Sequence, residues 1–153
     1  MTHSEALTKI MKYCAYQDRC QQEVRQKLHE IGAPYESIED LICTLIDDNF
    51  LDEERFSRSY VRGKFYYKSW GRKKIVQSLK QKGISEYCIK KGLEEIIESD
   101  YRSTLKSLIV KRIGINQEKW SFEDKQKAAQ FLFNKGYEGE LIWDMINNWD
   151  SDT

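Results

Sequence analysis

The chain has 153 residues, of which 40% are apolar and 33% charged, and its 25 basic and 25 acidic side chains give a formal net charge of zero. This length allows one domain or a short array of smaller units, with thin apolar layers rather than one broad interior. No segment approaches the ~20 apolar residues of a membrane-spanning helix, and the N-terminus lacks the apolar stretch of a signal peptide, so we expect a soluble, cytoplasmic protein.

Helix-forming residues are abundant, proline occurs once, and alternating strand patterns are missing, which together predict an all-α fold. Apolar residues at helical spacing predict a first helix from about Glu5 to Tyr16 and a second from Gln21 to Glu30. Gly32 is the expected left-handed C-cap of the second helix. Pro34 suits the first turn of a third helix, which closes near Asn49. The predicted core positions of this helix are Ile38, Leu41, Ile42 and Leu45.

The fourth predicted helix begins near Asp52 and is amphipathic at about 100° per residue. Its predicted core face consists of Phe56, Tyr60, Gly63 and Tyr67, and its arginine face of Arg55, Arg58, Arg62 and Tyr66. Phe65 and Tyr66 lie off the core face, so they are candidates for contact with a partner. Trp70 is expected to pack between the fourth and fifth helices.

The fifth predicted helix runs from Arg72 to Gln81 and stops at Gly83. Ser85 caps a sixth helix, whose predicted inward residues are Ile89, Leu93, Ile96 and Ile97. A long seventh helix spans about Tyr101 to Ile113. The last helix carries Trp143, with Trp149 near its end, and these side chains are expected to close the C-terminal part of the core.

An internal repeat relates three parts of the chain. The segments VRQKLHEIGAPYESIEDLI, IVQSLKQKGISEYCIKKGL and AAQFLFNKGYEGELIWDMI superimpose without gaps. The superposition aligns Leu28, Leu79 and Leu132, then Gly32, Gly83 and Gly136, and then Ile38, Ile89 and Ile142. Such a period predicts tandem three-helix, helix-turn-helix-like repeats in an elongated, curved body. The predicted domains are an acidic repeat over 1–50, a basic repeat over 51–98 and a third repeat over 99–153.

Positive charge is concentrated in the middle of the chain. Between Arg55 and Lys91 there are twelve basic side chains and one acid, Glu86, whereas residues 1–54 and 92–153 each contain twelve acids. This layout suggests that the centre binds an anionic partner. The predicted binding residues are Arg55, Arg58, Arg62, Lys64, Lys68, Arg72, Lys73 and Lys74. The alternative is a solvated charged surface, which fits these residues less well because few acids are interspersed to form i,i+4 pairs.

No catalytic constellation is found. The chain lacks a phosphate-binding glycine-rich loop, an HExxH motif and a nucleophile elbow, and its four cysteines form no CxxC pair. We therefore expect no enzymatic activity, no catalytic residues, no metal site and no cofactor, with the cysteines as reduced thiols.

Residues 51–85, LDEERFSRSYVRGKFYYKSWGRKKIVQSLKQKGIS, resemble the central motif of the RecX family, bacterial regulators of the RecA recombinase. The matching positions are Leu51, Asp52, Arg55, Phe56, Arg62, Lys64, Trp70, Gly71, Ile75, Leu79, Lys82, Gly83 and Ile84. The resemblance implies three tandem three-helix units that bind within the groove of the RecA–DNA filament and inhibit ATP hydrolysis and strand exchange. Ser57 and Cys20 depart from the family pattern. The acidic end DMINNWDSDT argues against DNA contact in the third unit.

The sequence therefore supports the hypothesis of a monomeric filament regulator in homologous recombination, DNA repair and the SOS response. Its expected partners are the RecA filament and single- or double-stranded DNA, bound weakly and in a salt-dependent way. One alternative is a stand-alone nucleic-acid-binding protein acting through the basic repeat, and another is a helical-repeat scaffold. Capping of the filament and occupation of its groove both stay open as modes of inhibition.

Overall fold

A computed structural model describes residues 1–150, and this part of the chain contains nine α-helices and no strands. The all-α prediction is thus confirmed. The helices are α1 (His3–Tyr16), α2 (Gln21–Glu30), α3 (Ile38–Asp47), α4 (Glu53–Arg62), α5 (Arg72–Gln81), α6 (Glu86–Leu93), α7 (Glu98–Ile113), α8 (Phe122–Asn134) and α9 (Gly139–Asn147). A π-helical turn, Gly63–Tyr67, follows α4. Residues 151–153, which end the predicted third repeat and its acidic C-terminus, lie outside the described residues.

The three predicted repeats agree with the structure at equivalent positions. The three aligned leucines are fully buried, and the three aligned isoleucines are also in the core. The aligned glycines, Gly32, Gly83 and Gly136, have φ angles of 78°, 76° and 107°. A side chain at such a φ angle strains the backbone, so glycine is the residue that ends the middle helix of each repeat.

The chain forms two compact units. Unit 1 contains residues 1–60 and 79–92, and unit 2 contains residues 61–78 and the chain from Leu93 onward. The second repeat is shared between the units, because 51–60 and 79–92 belong to unit 1 whereas 61–78 and 93–98 belong to unit 2. The repeat boundaries at 50/51 and 98/99 stay predictions.

The core of unit 1 is built largely from α1, α2 and α3. All four predicted core positions of α3 are buried, together with Ala6, Ile10, Val24 and Leu28. The buried thiol of Cys20 lies at the start of α2, and burial raises its pKa to about 11. The Cys20 backbone N–H donates to the Glu23 carboxylate at 3.1 Å, so Glu23 caps this helix although Cys20 is not a hydroxyl residue.

Aromatic rings form much of the core of unit 2. Phe65 packs against Tyr101 with ring centroids 5.6 Å apart, and Tyr101 packs against Tyr137 at 5.1 Å. Burial raises the pKa of Tyr101, which donates a hydrogen bond to Glu138. The Tyr137 hydroxyl donates to the Ser69 carbonyl at 2.8 Å. This cluster joins the end of the π-helical turn to the third repeat.

Two predicted orientations beyond α4 are wrong. Tyr67, a predicted core residue, is 85% exposed, and Phe65, predicted to lie off the core face, is 1% exposed. The cause is the π-helical turn, whose hydrogen bonds span one residue more than those of an α-helix and which therefore holds more residues per turn. A step of about 100° per residue, extended from α4, consequently assigns these two side chains to the wrong faces.

The predicted inward orientation of Ile97 is also wrong, because this side chain is 59% exposed. Helix α6 ends at Leu93, and Ile97 is the N-cap residue of α7. The helical phase of α6 thus does not extend to this position. Ile89 and Ile96, in contrast, are buried as predicted.

Candidate partner and nucleic-acid interface

Two of the predicted binding arginines form ion pairs inside unit 1. The Arg55 Nε donates to Asp18 Oδ1 at 2.7 Å, and its guanidinium also reaches the Phe50 carbonyl at 3.3 Å. The Arg58 Nε lies 3.3 Å from Glu54 Oε2, one helical turn earlier. These two charges are therefore partly neutralised by carboxylates of the same unit.

Arg62 and Arg72 form ion pairs inside unit 2. Arg62 pairs with Glu95, and Arg72 binds both Glu98 and Glu138, with its Nη1 2.9 Å from Glu138 Oε2. Burial alone would lower the pKa of Arg72, but the hydrogen bonds to Glu138 and Glu98 outweigh it and raise this pKa. Burial would raise the pKa of Glu98, yet the hydrogen bond from Arg72 holds it below its ordinary value.

Most partners of these arginines are far away in sequence. Asp18 is 37 residues from Arg55, and Glu138 is 66 residues from Arg72. The prediction that all eight basic residues bind an external anion relied on the scarcity of nearby acids. It therefore overestimated the positive charge that is available to a partner. Exposed pairs of this kind contribute about 0–1 kcal/mol each to stability, so the arginines can still exchange partners at modest cost.

The lysines of the same segment lie against aromatic rings. The Nζ atoms of Lys64 and Lys74 are 4.7 and 4.3 Å from the centroid of the Trp70 indole, and Lys73 Nζ is 5.4 Å from that of Phe133. Ammonium groups at such distances are attracted to the ring electrons. We define the lysine–aromatic surface as Lys64, Trp70, Lys73, Lys74 and Phe133.

Two of its lysines keep their charge uncompensated. Lys73 and Lys74, like the exposed Lys68, form no ion pair with a carboxylate of residues 1–150. Lys73 is exposed and Lys74 half-buried. These lysines therefore remain the residues of the predicted set best suited to an external anion.

Backbone contacts fix the lysine–aromatic surface. The Gly71 N–H donates to the Lys135 carbonyl and the Lys73 N–H donates to the Gly136 carbonyl, both at 2.9 Å. A Cβ atom on Gly71 would lie 2.2 Å from the Gly136 carbonyl carbon, so only glycine permits this approach. The contact brings the start of α5 to the end of α8, and with it Phe133 to Lys73.

Phe133 was missed by sequence reasoning, although one signal was present. In the repeat superposition Phe133 aligns with Lys80 and His29, which are polar. An aromatic residue at a position that is polar in the other repeats marks a specialised surface. The side chain is indeed 49% exposed.

The two aromatic residues predicted to contact a partner have different environments. Phe65 is buried and is unavailable at the surface. Tyr66 is 43% exposed, donates a hydrogen bond to Asp100 at 2.8 Å and accepts one from the Ile97 N–H at 3.4 Å. Partial burial and the Asp100 carboxylate raise its pKa. Its role in partner contact stays a prediction.

The described residues offer charges and rings rather than a metal-binding cluster. No group of three or more His, Cys, Asp or Glu side chains within residues 1–150 is arranged to hold a metal ion. None of the helices in this range is long and apolar enough to span a bilayer. The lysines and exposed ring of the lysine–aromatic surface can bind anions and stack against flat groups.

Comparison with sequence families identifies all three repeats. The RecX first three-helix domain matches residues 6–45, the second matches residues 52–93 and the third matches residues 99–146. The three domains occur in the same order as in the family and together cover most of the chain.

Individual relatives carry the name Regulatory protein RecX. The relative from Lactobacillus johnsonii is 32% identical over 148 residues, which are 94% of this chain and 54% of that protein. The relative from Cronobacter sakazakii is 28% identical over 160 residues, with 97% of this chain and 94% of that protein covered. The chain thus spans about half the length of the first relative and nearly all of the second.

Two crystal structures have a similar fold. One is described as regulatory protein RecX, with a TM-score of 0.82, 27% identity, and coverage of 95% of this chain and 71% of that chain. The other is RecX from Lactobacillus salivarius, with a TM-score of 0.82, 24% identity, and coverage of 95% and 94%. The second comparison supports the fold alone.

Proposed function

Because the chain belongs to the RecX family of regulatory proteins, we propose that it binds the RecA–DNA filament and inhibits ATP hydrolysis and strand exchange by RecA. The protein would act by binding, without catalysis of its own, in recombination, DNA repair and the SOS response. The resemblance of residues 51–85 to the family's central motif supports this proposal.

The observation that carries the proposal is the basic segment of the second repeat. Lys73 and Lys74 form no ion pair with a carboxylate of residues 1–150, and Lys68, earlier in the same segment, is exposed. A filament of protein on DNA presents phosphates along its length, and lysines that neutralise phosphates release counterions, which drives association. The surface is thus suited to a DNA-containing partner.

The test is a titration of the protein into RecA, ATP and single-stranded DNA while ATP hydrolysis is followed. We expect inhibition below one protein molecule per RecA protomer. The variant Lys68→Glu/Lys73→Glu should need at least roughly tenfold more protein, since two phosphate contacts are lost and two repulsive charges are introduced. Lys80→Glu/Lys90→Glu is the matched control, because it reverses the same charge at exposed lysines of unit 1.

An unchanged rate of ATP hydrolysis at every ratio of wild-type protein to RecA would contradict the proposal. If the same protein bound naked DNA tightly, the second candidate, a stand-alone nucleic-acid-binding protein, would replace it. The absence of ion pairs at Lys68, Lys73 and Lys74 within residues 1–150 is the observation that favours this candidate.

A further inference from the structure

Phe133 is an exposed aromatic ring beside Lys73, which pairs with no carboxylate of residues 1–150. It leaves 49% of its surface in solvent, and the Lys73 ammonium lies 5.4 Å from its ring centroid. The fold does not require an aromatic ring here, since the equivalent positions in the other repeats are Lys80 and His29. Half of the ring remains accessible for a second flat group to stack on it.

Trp70 has a different part in the lysine–aromatic surface. Its indole holds the ammonium groups of both Lys64 and Lys74 within 5 Å of the ring centroid, at 4.7 and 4.3 Å. A long lysine side chain loses rotational freedom when it binds a ligand, and a ring that restrains it beforehand reduces that loss. Trp70 is thus a positioning residue for two positive charges.

The two glutamates that bind Arg72 are neutralised by arginines, so their charges are not left to repel an anionic ligand. Glu98 and Glu138 both bind Arg72, and Glu98 also pairs with Arg102 at 3.2 Å. Two arginines therefore balance two glutamates, and the charge of the lysine–aromatic surface itself is positive.

We propose that the lysine–aromatic surface binds single-stranded nucleic acid, with a base stacked on Phe133 and phosphates contacted by Lys64, Lys73 and Lys74. The inference rests on the proposed function in using the same basic segment, and it goes further by selecting single strands over duplexes and by adding a residue of the third repeat. Single strands are favoured over duplexes because their base faces are open to stacking.

The experiment measures binding of fluorescently labelled oligodeoxythymidine, the matched duplex and oligouridine to the full chain by anisotropy at several salt concentrations. We expect wild-type protein to bind the single strand more tightly than the duplex. Three phosphate contacts predict a slope of about −2 in a plot of log affinity against log salt. Lys73→Gln should reduce the size of this slope by about 0.7.

The stacking contact is tested by Phe133→Ala. We expect at least a roughly fivefold loss of affinity for the single strand and no change for the duplex, because only unpaired bases stack on the ring. Phe133→Tyr, which keeps a flat ring, should bind like the wild type. Phe122→Ala is the matched control, since Phe122 is also exposed on α8 but has no cation over its ring among residues 1–150.

Equal binding of the single strand by wild type and Phe133→Ala, with both variants folded by circular dichroism, would overturn the inference. Tighter binding of the duplex or of a labelled polyglutamate peptide would also overturn it. A preference for oligodeoxythymidine over oligouridine identifies DNA as the ligand, the reverse identifies RNA, and both support stacking. Inhibition of RecA by wild-type protein that fails to bind single strands would reject this inference and leave the proposed function standing.

Discussion

Two neighbouring regions of the basic segment use their charges differently. In α4, Arg55, Arg58 and Arg62 each form an ion pair with a carboxylate of their own unit. At the start of α5, Lys73 and Lys74 face aromatic rings and no carboxylate of residues 1–150. The density of positive charge along a sequence therefore does not measure the charge available to a partner, because folding supplies counter-charges from distant segments.

The largest expected effect concerns the π-helical turn between these two regions. Phe65→Ala should lower the free energy of unfolding by about 3–5 kcal/mol, because Phe65 is buried against Tyr101. Tyr67→Ala should change it by less than about 0.5 kcal/mol, because Tyr67 is exposed. Chemical denaturation of the two variants measures both values. The reverse order would show that the α-helical phase continues past Arg62.

The close backbone contact between Gly71 and Gly136, beside the lysine–aromatic surface, is tested by Gly71→Ala. The added Cβ would lie 2.2 Å from the Gly136 carbonyl carbon, so we expect a loss of about 3 kcal/mol or more and weakened binding through the lysines. Gly63→Ala is the matched control, since its Cβ would meet no atom within 4 Å. Denaturation midpoints that are equal for the two variants would contradict the close approach of Gly71 and Gly136.

Helix α4, which carries the three paired arginines, also contains a buried polar group. Ser57 is fully buried, and its Oγ has no hydrogen-bond partner among residues 1–150. Ser57→Ala should raise the free energy of unfolding by about 1 kcal/mol, because an unsatisfied hydroxyl is removed from an apolar site. Ser59→Ala, at a half-buried position of the same helix, controls for helix propensity. A lower unfolding midpoint for Ser57→Ala would show that the hydroxyl is satisfied.

The smallest effect is the pH dependence of the Arg72 ion pairs. The pKa of Glu98 lies below its ordinary value of 4.5 in the folded protein. The ion pair with Arg72 therefore stabilises the folded state at pH values above 4.5, and this stabilisation is lost as the pH falls through the lowered pKa. Arg72→Gln should therefore lose less stability than wild type on acidification below about pH 4.5, with a difference of at most about 1 kcal/mol.

Thermal unfolding at a series of pH values measures this difference. Arg112→Gln is the control, because Arg112 lies over the Phe131 ring and pairs with no carboxylate of residues 1–150. An identical acid dependence for wild type and Arg72→Gln would show that the pair does not stabilise the fold. The positive charge of Arg72 would then be available to a partner, like the charges of Lys73 and Lys74.

Much of the candidate site could be predicted, but not its internal organisation. Lys64, Lys68, Lys73 and Lys74 follow from the charge layout, and Trp70–Gly71 from the family motif. Phe133 joins the surface only through the contact between Gly71 and Gly136, which lie 65 residues apart and have no local sequence signature. The partners of Arg55, Arg62 and Arg72 are also distant in sequence, whereas Glu54, the partner of Arg58, lies one helical turn away.

The sequence by itself determined the helices, the glycine turns and the three repeats. These features depend on interactions within a few residues, such as the Ser85 cap of α6 and the positive φ angles of Gly32 and Gly83. The tertiary structure decided which charges are neutralised, where Phe65 and Tyr67 point and how the third repeat reaches the lysines. Those outcomes depend on atoms brought together across long stretches of chain, and on one π-helical turn that buries Phe65 and exposes Tyr67.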